Sequence, residues 1–228
     1  MRTRIKVCCI ASEAEASLAI ELGADALGLV AAMPSGPGVI PEACIAAIAA
    51  RVPPPVATFL LTSATRATDI VEQHARCCTT TIQVVDRLTH GTHAELRARL
   101  PGVGIVQVIH VTGPESIEEA LTIAPHVSAL LLDSGNPAAR VKELGGTGRL
   151  HDWTVSRSIR AAVPVPVFLA GGLRAENVVD AIVAVEPWGV DLCSGVRTDG
   201  ALDADKLAAF IRAVNGTRGG PVPITMRD

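Results

Sequence analysis

Two side chains that could move protons follow apolar segments far apart in the chain. Cys8 lies in the N-terminal segment RIKVCCI, and Asp133 ends the apolar run at 127–133. A thiolate can act as a base or a nucleophile, and a carboxylic acid that burial keeps neutral can donate a proton. Together they could remove a proton on one side of a small substrate and donate one on the other. The competing interpretation is that Cys8 is a packing residue and Asp133 a cap.

Three glycine-containing loops predict a phosphate site, because backbone N–H groups without an intervening side chain suit the oxyanion of a sugar phosphate. The loops lie at 145–148 (GGTG), 170–173 (AGGL) and 194–196 (SGV). One glycine pair commonly forms only a turn, whereas three such loops favour a phosphorylated small-molecule substrate. The predicted phosphate-binding residues are Gly146, Gly171, Gly172, Ser194 and Gly195.

The elements that must position these residues alternate regularly. Short apolar segments that read as buried strands alternate with helical segments, and eight such units favour a closed (β/α)₈ barrel, a TIM barrel, over an open sheet. The predicted strands are 4–10, 24–30, 56–61, 80–85, 103–110, 127–133, 165–170 and 189–193. We expect one barrel over 1–215. The aperiodic residues 216–228 predict a flexible C-terminal tail.

In a barrel, the loops after the strands meet on one face, where the chemistry takes place. Further substrate contacts are therefore expected from Gln83 on the fourth strand and from Asp191 and Arg197 at or after the eighth. Neighbouring residues on a strand point to opposite faces, so only one of Cys8 and Cys9 should face the barrel interior.

Composition limits the function classes. Of the 228 residues, 49% are hydrophobic and only 2% aromatic, which suits parallel strands covered on both faces. The net charge of −3 indicates no nucleic-acid surface, and no apolar run approaches the roughly 20 residues of a membrane span. We expect a cytoplasmic protein with no nucleic-acid or membrane partner. The six cysteines include no CxxC pair, so no metal site is expected. The few aromatic residues leave monomer and homodimer both open.

Several spaced motifs occur in a characteristic order over about residues 4–214. They are KVCCIA at 6–11, GADALG at 23–28, LLDS at 131–134 with GGTG at 145–148, LAGGL at 169–173, and GVD at 189–191 with SGV at 194–196. This pattern resembles the phosphoribosylanthranilate isomerase family of tryptophan biosynthesis. The resemblance implies a (β/α)₈ barrel, an isomerase that performs an Amadori rearrangement, and no cofactor.

The resemblance also implies roles for two residues, with Cys8 as the general base and Asp133 as the general acid. Asp133 would protonate the ribose ring oxygen and open the sugar to an imine. Cys8 would then remove the C2 proton, giving an enolamine that tautomerises to the 1-deoxyribulose 5-phosphate product. Each such proton transfer typically contributes about 10²–10⁴-fold to the rate.

Departures from the family pattern gather on the anthranilate side. Gly38 stands where the family's substrate-binding arginine is expected, Cys9 replaces a glycine, Val85 a histidine, and Arg197 a glutamate. Losing a guanidinium beside a substrate carboxylate should cost about 1.5–3 kcal/mol unless another group compensates.

Arg66, Arg87 or Arg197 could supply the missing guanidinium. Three functions remain open. The leading hypothesis is isomerisation of phosphoribosylanthranilate. The others are the same reaction on a different phosphoribosylated amine in a specialised pathway, and a catalytically inactive sugar-phosphate-binding protein. A retro-aldol lyase would need a Schiff-base lysine at a strand end, where Lys6 and Lys142 are poorly placed.

Overall fold

A computed structural model describes residues 2–135 and 151–217. Eight parallel strands close into a barrel in sequence order, which confirms the predicted (β/α)₈ architecture. The strands are β1 Arg4–Val7, β2 Ala26–Val30, β3 Ala57–Thr62, β4 Thr81–Val84, β5 Gly104–His110, β6 Ala129–Asp133, β7 Val167–Leu169 and β8 Gly189–Leu192. The barrel closes where β1 pairs with β8, with Ile5 opposite Val190.

A helix follows each strand and packs outside the barrel. The helices are α1 Glu13–Leu22, α2 Glu42–Ala49, α3 Ala67–Cys77, α4 His93–Arg99, α5 Glu115–Ile123, α6 Trp153–Ala162, α7 Val178–Val185 and α8 Ala204–Gly216. Helix α1 begins as its sequence predicts, since Ser12 Oγ accepts a hydrogen bond from Glu15 N at 3.2 Å. Helix α8 ends one residue past the predicted barrel limit of 215. Residues 218–228 of the expected tail lie outside the described residues.

Aliphatic side chains fill the space between strands and helices, and a second layer fills the barrel interior. Inside the barrel, Phe168 makes edge-to-face contacts with Phe59 at 6.0 Å and with Trp188 at 5.1 Å between ring centroids. Lys6 also lies inside and is fully buried. These side chains fill the barrel interior, so the interior is a packed core and not a pore. A ligand therefore binds at the carboxyl ends of the strands.

A short antiparallel hairpin follows β8 and was not predicted from the sequence. Its strands are β9 Arg197–Thr198 and β10 Ala201–Leu202. Within 2–135 and 151–217, no helix is both long and apolar enough to cross a membrane. The same ranges contain no group of three His, Cys, Asp or Glu side chains arranged to hold a metal ion.

Candidate active site

A cleft with a cavity volume of about 60 Å³ opens at the carboxyl ends of the strands. Seven of the residues expected from the sequence to form a site line it. They are Cys8, Gln83, Asp133, Gly171, Gly172, Asp191 and Ser194. Gly195 and Arg197 lie outside this lining, and Gly146 lies outside the described residues. The fold therefore gathers residues from β1, β4, β6, β7 and β8 at one place.

Cys8 and Cys9 follow β1, and both line the cleft. Both are buried, and Cys8 N donates a hydrogen bond to Leu192 O at 2.8 Å. The expectation that only one of the two would face the interior is wrong. Side chains alternate only in extended backbone, whereas Cys9 has a φ of 61°, in the left-handed region. The strand ends at Val7, and the turn at Cys9 brings its side chain round to the cleft.

Asp133 ends β6 and is buried against the cleft wall. Its Oδ1 accepts a hydrogen bond from Ser134 N at 2.7 Å, and its main-chain oxygen accepts one from Val111 N at 2.9 Å. Strands β7 and β8 separate β6 from β1 in the barrel, so Asp133 and Cys8 approach the cleft from different sides. This placement puts the two side chains on the wall of one cleft.

A buried ion pair lies beneath Cys8. Lys6 Nζ is 2.8 Å from Asp191 Oδ1, and neither side chain is more than slightly exposed. Burial acts to lower the pKa of Lys6, but the charges of Asp191 and Cys8 and the hydrogen bond that Lys6 donates to Asp191 raise it above its ordinary value. Burial raises the pKa of Asp191, and the charge of Lys6 opposes that rise.

Lys6 also brings its charge close to the Cys8 thiol. A Cβ atom on Gly28 would lie 3.0 Å from Lys6 Nζ and 2.9 Å from Cys8 Sγ, so the ammonium and thiol flank the same glycine. The closeness of Lys6 to the Cys8 thiol was not predicted from the sequence. Its spacing was the available signal, because residues two apart on a strand lie on the same face. Lys6 is committed to Asp191 and is not free to form a Schiff base.

The glycine loops after β7 and β8 are held against each other. Gly171 and Gly172 have φ values of 88° and 62°, and Asn177 Nδ2 donates to Gly172 O at 3.0 Å. A Cβ atom on Gly195 would lie 2.1 Å from Leu173 O, so only glycine permits this approach. Gly195 thus sets the spacing of two loops that carry cleft residues.

The arginines that could replace the expected guanidinium lie away from the cleft, and its described lining contains no Lys or Arg. Arg66 is 3.9 Å from Asp69, and Arg87 NH2 is 2.8 Å from Glu119. Neither contributes a positive charge to the cleft wall.

Arg197 has a structural place instead. Its guanidinium contacts the Glu15 carboxylate at 3.0 Å and donates to the main-chain oxygens of Cys9 and Gly200. Burial acts to raise the pKa of Glu15, but hydrogen bonds from Arg197 and two backbone N–H groups hold it below its ordinary value. Arg197 therefore ties the loop that carries Cys8 to the hairpin. The contact between Arg197 and the substrate stays a prediction, and this geometry does not support it.

Two departures from the family pattern form one structural feature. Gly38 has a φ of 79°, and a Cβ atom there would lie 2.5 Å from Cys9 Cβ. Cys9 Sγ also contacts Pro37 O at 3.5 Å. The Cys9 side chain fills the space beside residue 38, so a side chain at one position excludes a side chain at the other.

Replacing Gly38 with alanine should therefore destabilise the protein, and Cys9→Gly should relieve part of the cost. Overpacking typically costs about 1–3 kcal/mol and the left-handed backbone about 1–2 kcal/mol. In the double variant only the overpacking against Cys9 Cβ and Sγ disappears, because the Cα of residue 9 would still lie 2.9 Å from the new Cβ. Unfolding free energies of the four members of the double-mutant cycle measure this coupling. Gly102→Ala is a matched control, since Gly102 has a φ of 83° and nothing within 4 Å of its Cβ position. Additive effects of Cys9→Gly and Gly38→Ala would contradict the coupling.

The chain matches a family model along most of its length. Residues 5–213 match the model described as N-(5'-phosphoribosyl)anthranilate (PRA) isomerase. The N-(5'-phosphoribosyl)anthranilate isomerase of Haloferax volcanii is 38% identical over 224 residues, which cover 95% of each chain. That of Myxococcus xanthus is 36% identical and covers 93% of this chain and 96% of its own.

Solved structures agree with the sequence comparison. Phosphoribosylanthranilate isomerase from Thermotoga maritima is 27% identical, with a TM-score of 0.77 over 94% of this chain and 100% of that chain. A phosphoribosylanthranilate isomerase in complex with reduced 1-(o-carboxyphenylamino)-1-deoxyribulose 5-phosphate is 25% identical, with a TM-score of 0.75 over the same shares. The resemblance expected from the motifs is confirmed. The chain belongs to the N-(5'-phosphoribosyl)anthranilate isomerase family.

Proposed function

We infer that this chain isomerises N-(5'-phosphoribosyl)anthranilate to 1-(o-carboxyphenylamino)-1-deoxyribulose 5-phosphate, an Amadori rearrangement in tryptophan biosynthesis. The observation that carries the inference is the meeting of Cys8, Asp133 and two glycine loops in one cleft of a chain with this family membership. The reaction moves protons within one substrate, so it needs an acid, a base and a site that holds the phosphate.

Asp133 is the proposed general acid. Its position at the end of β6, on the cleft wall, allows its carboxyl group to protonate the ribose ring oxygen. Breaking the C1–O bond then leaves an imine between C1 and the anthranilate nitrogen. The resulting carboxylate is held by the hydrogen bond from Ser134 N.

Cys8 is the proposed general base, reaching the substrate from the β1 side of the cleft. Its thiolate would remove the C2 proton, and the enolamine so formed tautomerises to the ketone. The Lys6 ammonium lies beside the Cys8 thiol, since both flank Gly28, and Asp191 holds Lys6 in position.

The loops after β7 and β8 are the proposed phosphate site. Gly171, Gly172 and Ser194 lie on the cleft wall. Asn177 fixes the first loop, and the close approach of Gly195 to Leu173 fixes the second against it. We also propose that Gly146 belongs to this phosphate site.

The direct test is turnover of phosphoribosylanthranilate, followed by loss of anthranilate fluorescence. Turnover of the phosphoribosylated derivative of aniline, which lacks the carboxylate, is followed by chromatography and separates the leading function from an isomerase for another amine. We expect the anthranilate derivative to have the higher kcat/KM. Preference for the aniline derivative would favour the alternative substrate, and binding of both without turnover would favour an inactive protein.

Gln83 is a proposed substrate contact, and its geometry supplies a specific prediction. Its side chain lines the cleft, and its buried Oε1 has no hydrogen-bond partner within the described part of the chain. A substrate hydroxyl or N–H group could donate to it. Gln83→Leu should lower kcat/KM roughly 2- to 12-fold, the equivalent of one neutral hydrogen bond, without lowering the unfolding temperature. Steady-state kinetics and thermal unfolding measure the two effects.

Gln107, on the neighbouring strand, is the matched control. Its Nε2 donates to the oxygens of Val84, Asp86 and Val108, and its Oε1 contacts His93 Nε2. Gln107→Leu should therefore lower stability, since it leaves buried carbonyls unpaired. If Gln83→Leu proves equally destabilising, or leaves kcat/KM unchanged, Gln83 is not a substrate contact.

For assembly and location we propose a monomer or homodimer in the cytoplasm. Relatives with this fold include an enzyme from Thermotoga maritima whose dimeric form has been converted to monomers. Sedimentation at several concentrations decides between the two states.

A further inference from the structure

Two thiols from neighbouring strand ends meet at the rim of the cleft. Cys9 follows β1 and Cys193 follows β8, which are paired in the barrel, and their Sγ atoms are 2.8 Å apart. Both are free thiols that line the cleft. A disulfide bond is about 2.05 Å long, so a small movement would join them.

We propose that Cys9 and Cys193 form a redox-active dithiol, which hydrogen peroxide converts to a disulfide that lowers the isomerase activity. The oxidation itself goes beyond the proposed function, and its effect on rate rests on that function. Neither residue has a part in the proton transfers assigned to Cys8 and Asp133.

The environments of the two sulfurs give them different parts in the oxidation. Cys193 is partly exposed, so peroxide can reach it, whereas Cys9 is buried. The hydrogen bond between the two sulfurs lowers the pKa of Cys193 despite its burial, and the Arg197 charge lowers it further. Hydrogen bonds with Cys193 and Cys8, together with burial, raise the pKa of Cys9. Cys193 is thus the attacking thiol and Cys9 the resolving one.

The oxidation proceeds in two steps that conserve atoms and electrons. The Cys193 thiolate attacks one peroxide oxygen, the O–O bond breaks, and hydroxide leaves and takes up a proton, giving a sulfenic acid and water. The Cys9 thiol then attacks this sulfur, the S–O bond breaks, and a second water leaves. Overall the two thiols lose two electrons and two protons, and peroxide is reduced to two waters.

The disulfide would displace both the proposed base and the proposed phosphate loop. Cys9 directly follows Cys8, and Cys193 directly precedes Ser194 in the proposed phosphate loop. Drawing the sulfurs together displaces both neighbours, and a displacement approaching 1 Å can cost on the order of 10²-fold in rate. We therefore expect a loss of kcat/KM that a dithiol reductant reverses.

The experiment oxidises the reduced full-length chain with hydrogen peroxide, alkylates the remaining thiols and maps tryptic peptides. The expected product is a cross-link between peptides 7–51 and 175–197, with activity restored by dithiothreitol. The cross-link should persist in Cys8→Ala and Cys44→Ala and disappear in Cys9→Ala and Cys193→Ala. Alanine is chosen because it keeps a Cβ atom at the left-handed Cys9 position.

Three results would overturn the proposal. One is the absence of this cross-link, and another is its persistence in Cys9→Ala. The third is reversible inactivation of Cys9→Ala by peroxide as fast as wild type, which would place the sensitive thiol at Cys8. Failure of the proposed function gives a different pattern, in which the reduced protein lacks isomerase activity but the cross-link still forms.

Discussion

Replacing Cys8 with alanine or Asp133 with asparagine is expected to lower kcat about 10²–10⁴-fold, the usual contribution of a positioned acid or base. Neither change should unfold the barrel, since each removes or exchanges only a few atoms at the edge of the cleft. The rate is measured by anthranilate fluorescence and the fold by circular dichroism and thermal unfolding. Cys44→Ala, which removes an exposed thiol on α2, is the matched control and should retain full activity.

Full activity in Cys8→Ala would remove Cys8 from the mechanism, and full activity in Asp133→Asn would remove Asp133.

The barrel could be predicted because its signals are local and repeated. Each strand is a short apolar segment bounded by turn residues, and each helix carries its own start or stop signal, as Ser12 and Gly23 do for α1. The closed parallel order then follows from eight such units with short connections. The hairpin formed by β9 and β10 could not be predicted, because its strands are only two residues long and carry no apolar alternation.

The site was predictable only where residue type determines position. Asp133, Gly171, Gly172 and Ser194 end or follow strands, and this places them at the cleft. The orientation of Cys9 was not predictable, because it depends on a left-handed φ that only contacts with Pro37 and Cys193 reveal. The pairing of Arg197 with Glu15 was equally hidden, since 182 residues separate the partners.

Replacing Lys6 with methionine is expected to destabilise the protein by about 3–5 kcal/mol, the largest stability effect predicted for this chain. Methionine fills most of the same volume, so the cost comes from the Asp191 carboxylate, which remains buried without its cation. Asp191→Asn should cost a similar amount by stranding the Lys6 ammonium. The double variant Lys6→Met/Asp191→Asn leaves no buried charge and should be more stable than the sum of the single effects predicts. Urea unfolding of all four proteins measures these energies.

The two single variants should respond to pH in opposite directions. Without Lys6, the folded-state pKa of Asp191 rises further above its unfolded value of about 3.9, so stability is lost as pH rises from that value to the folded pKa. Without Asp191, burial holds the folded-state pKa of Lys6 below its unfolded value of about 10.4, so stability is lost as pH falls through this range. Lys6→Met should therefore be more stable at pH 5 than at pH 8, relative to wild type, and Asp191→Asn the reverse. Parallel pH profiles would mean that lost packing, not an unpaired buried charge, determines the cost. Opposite profiles would establish that the positive charge beneath Cys8 persists only because Asp191 balances it.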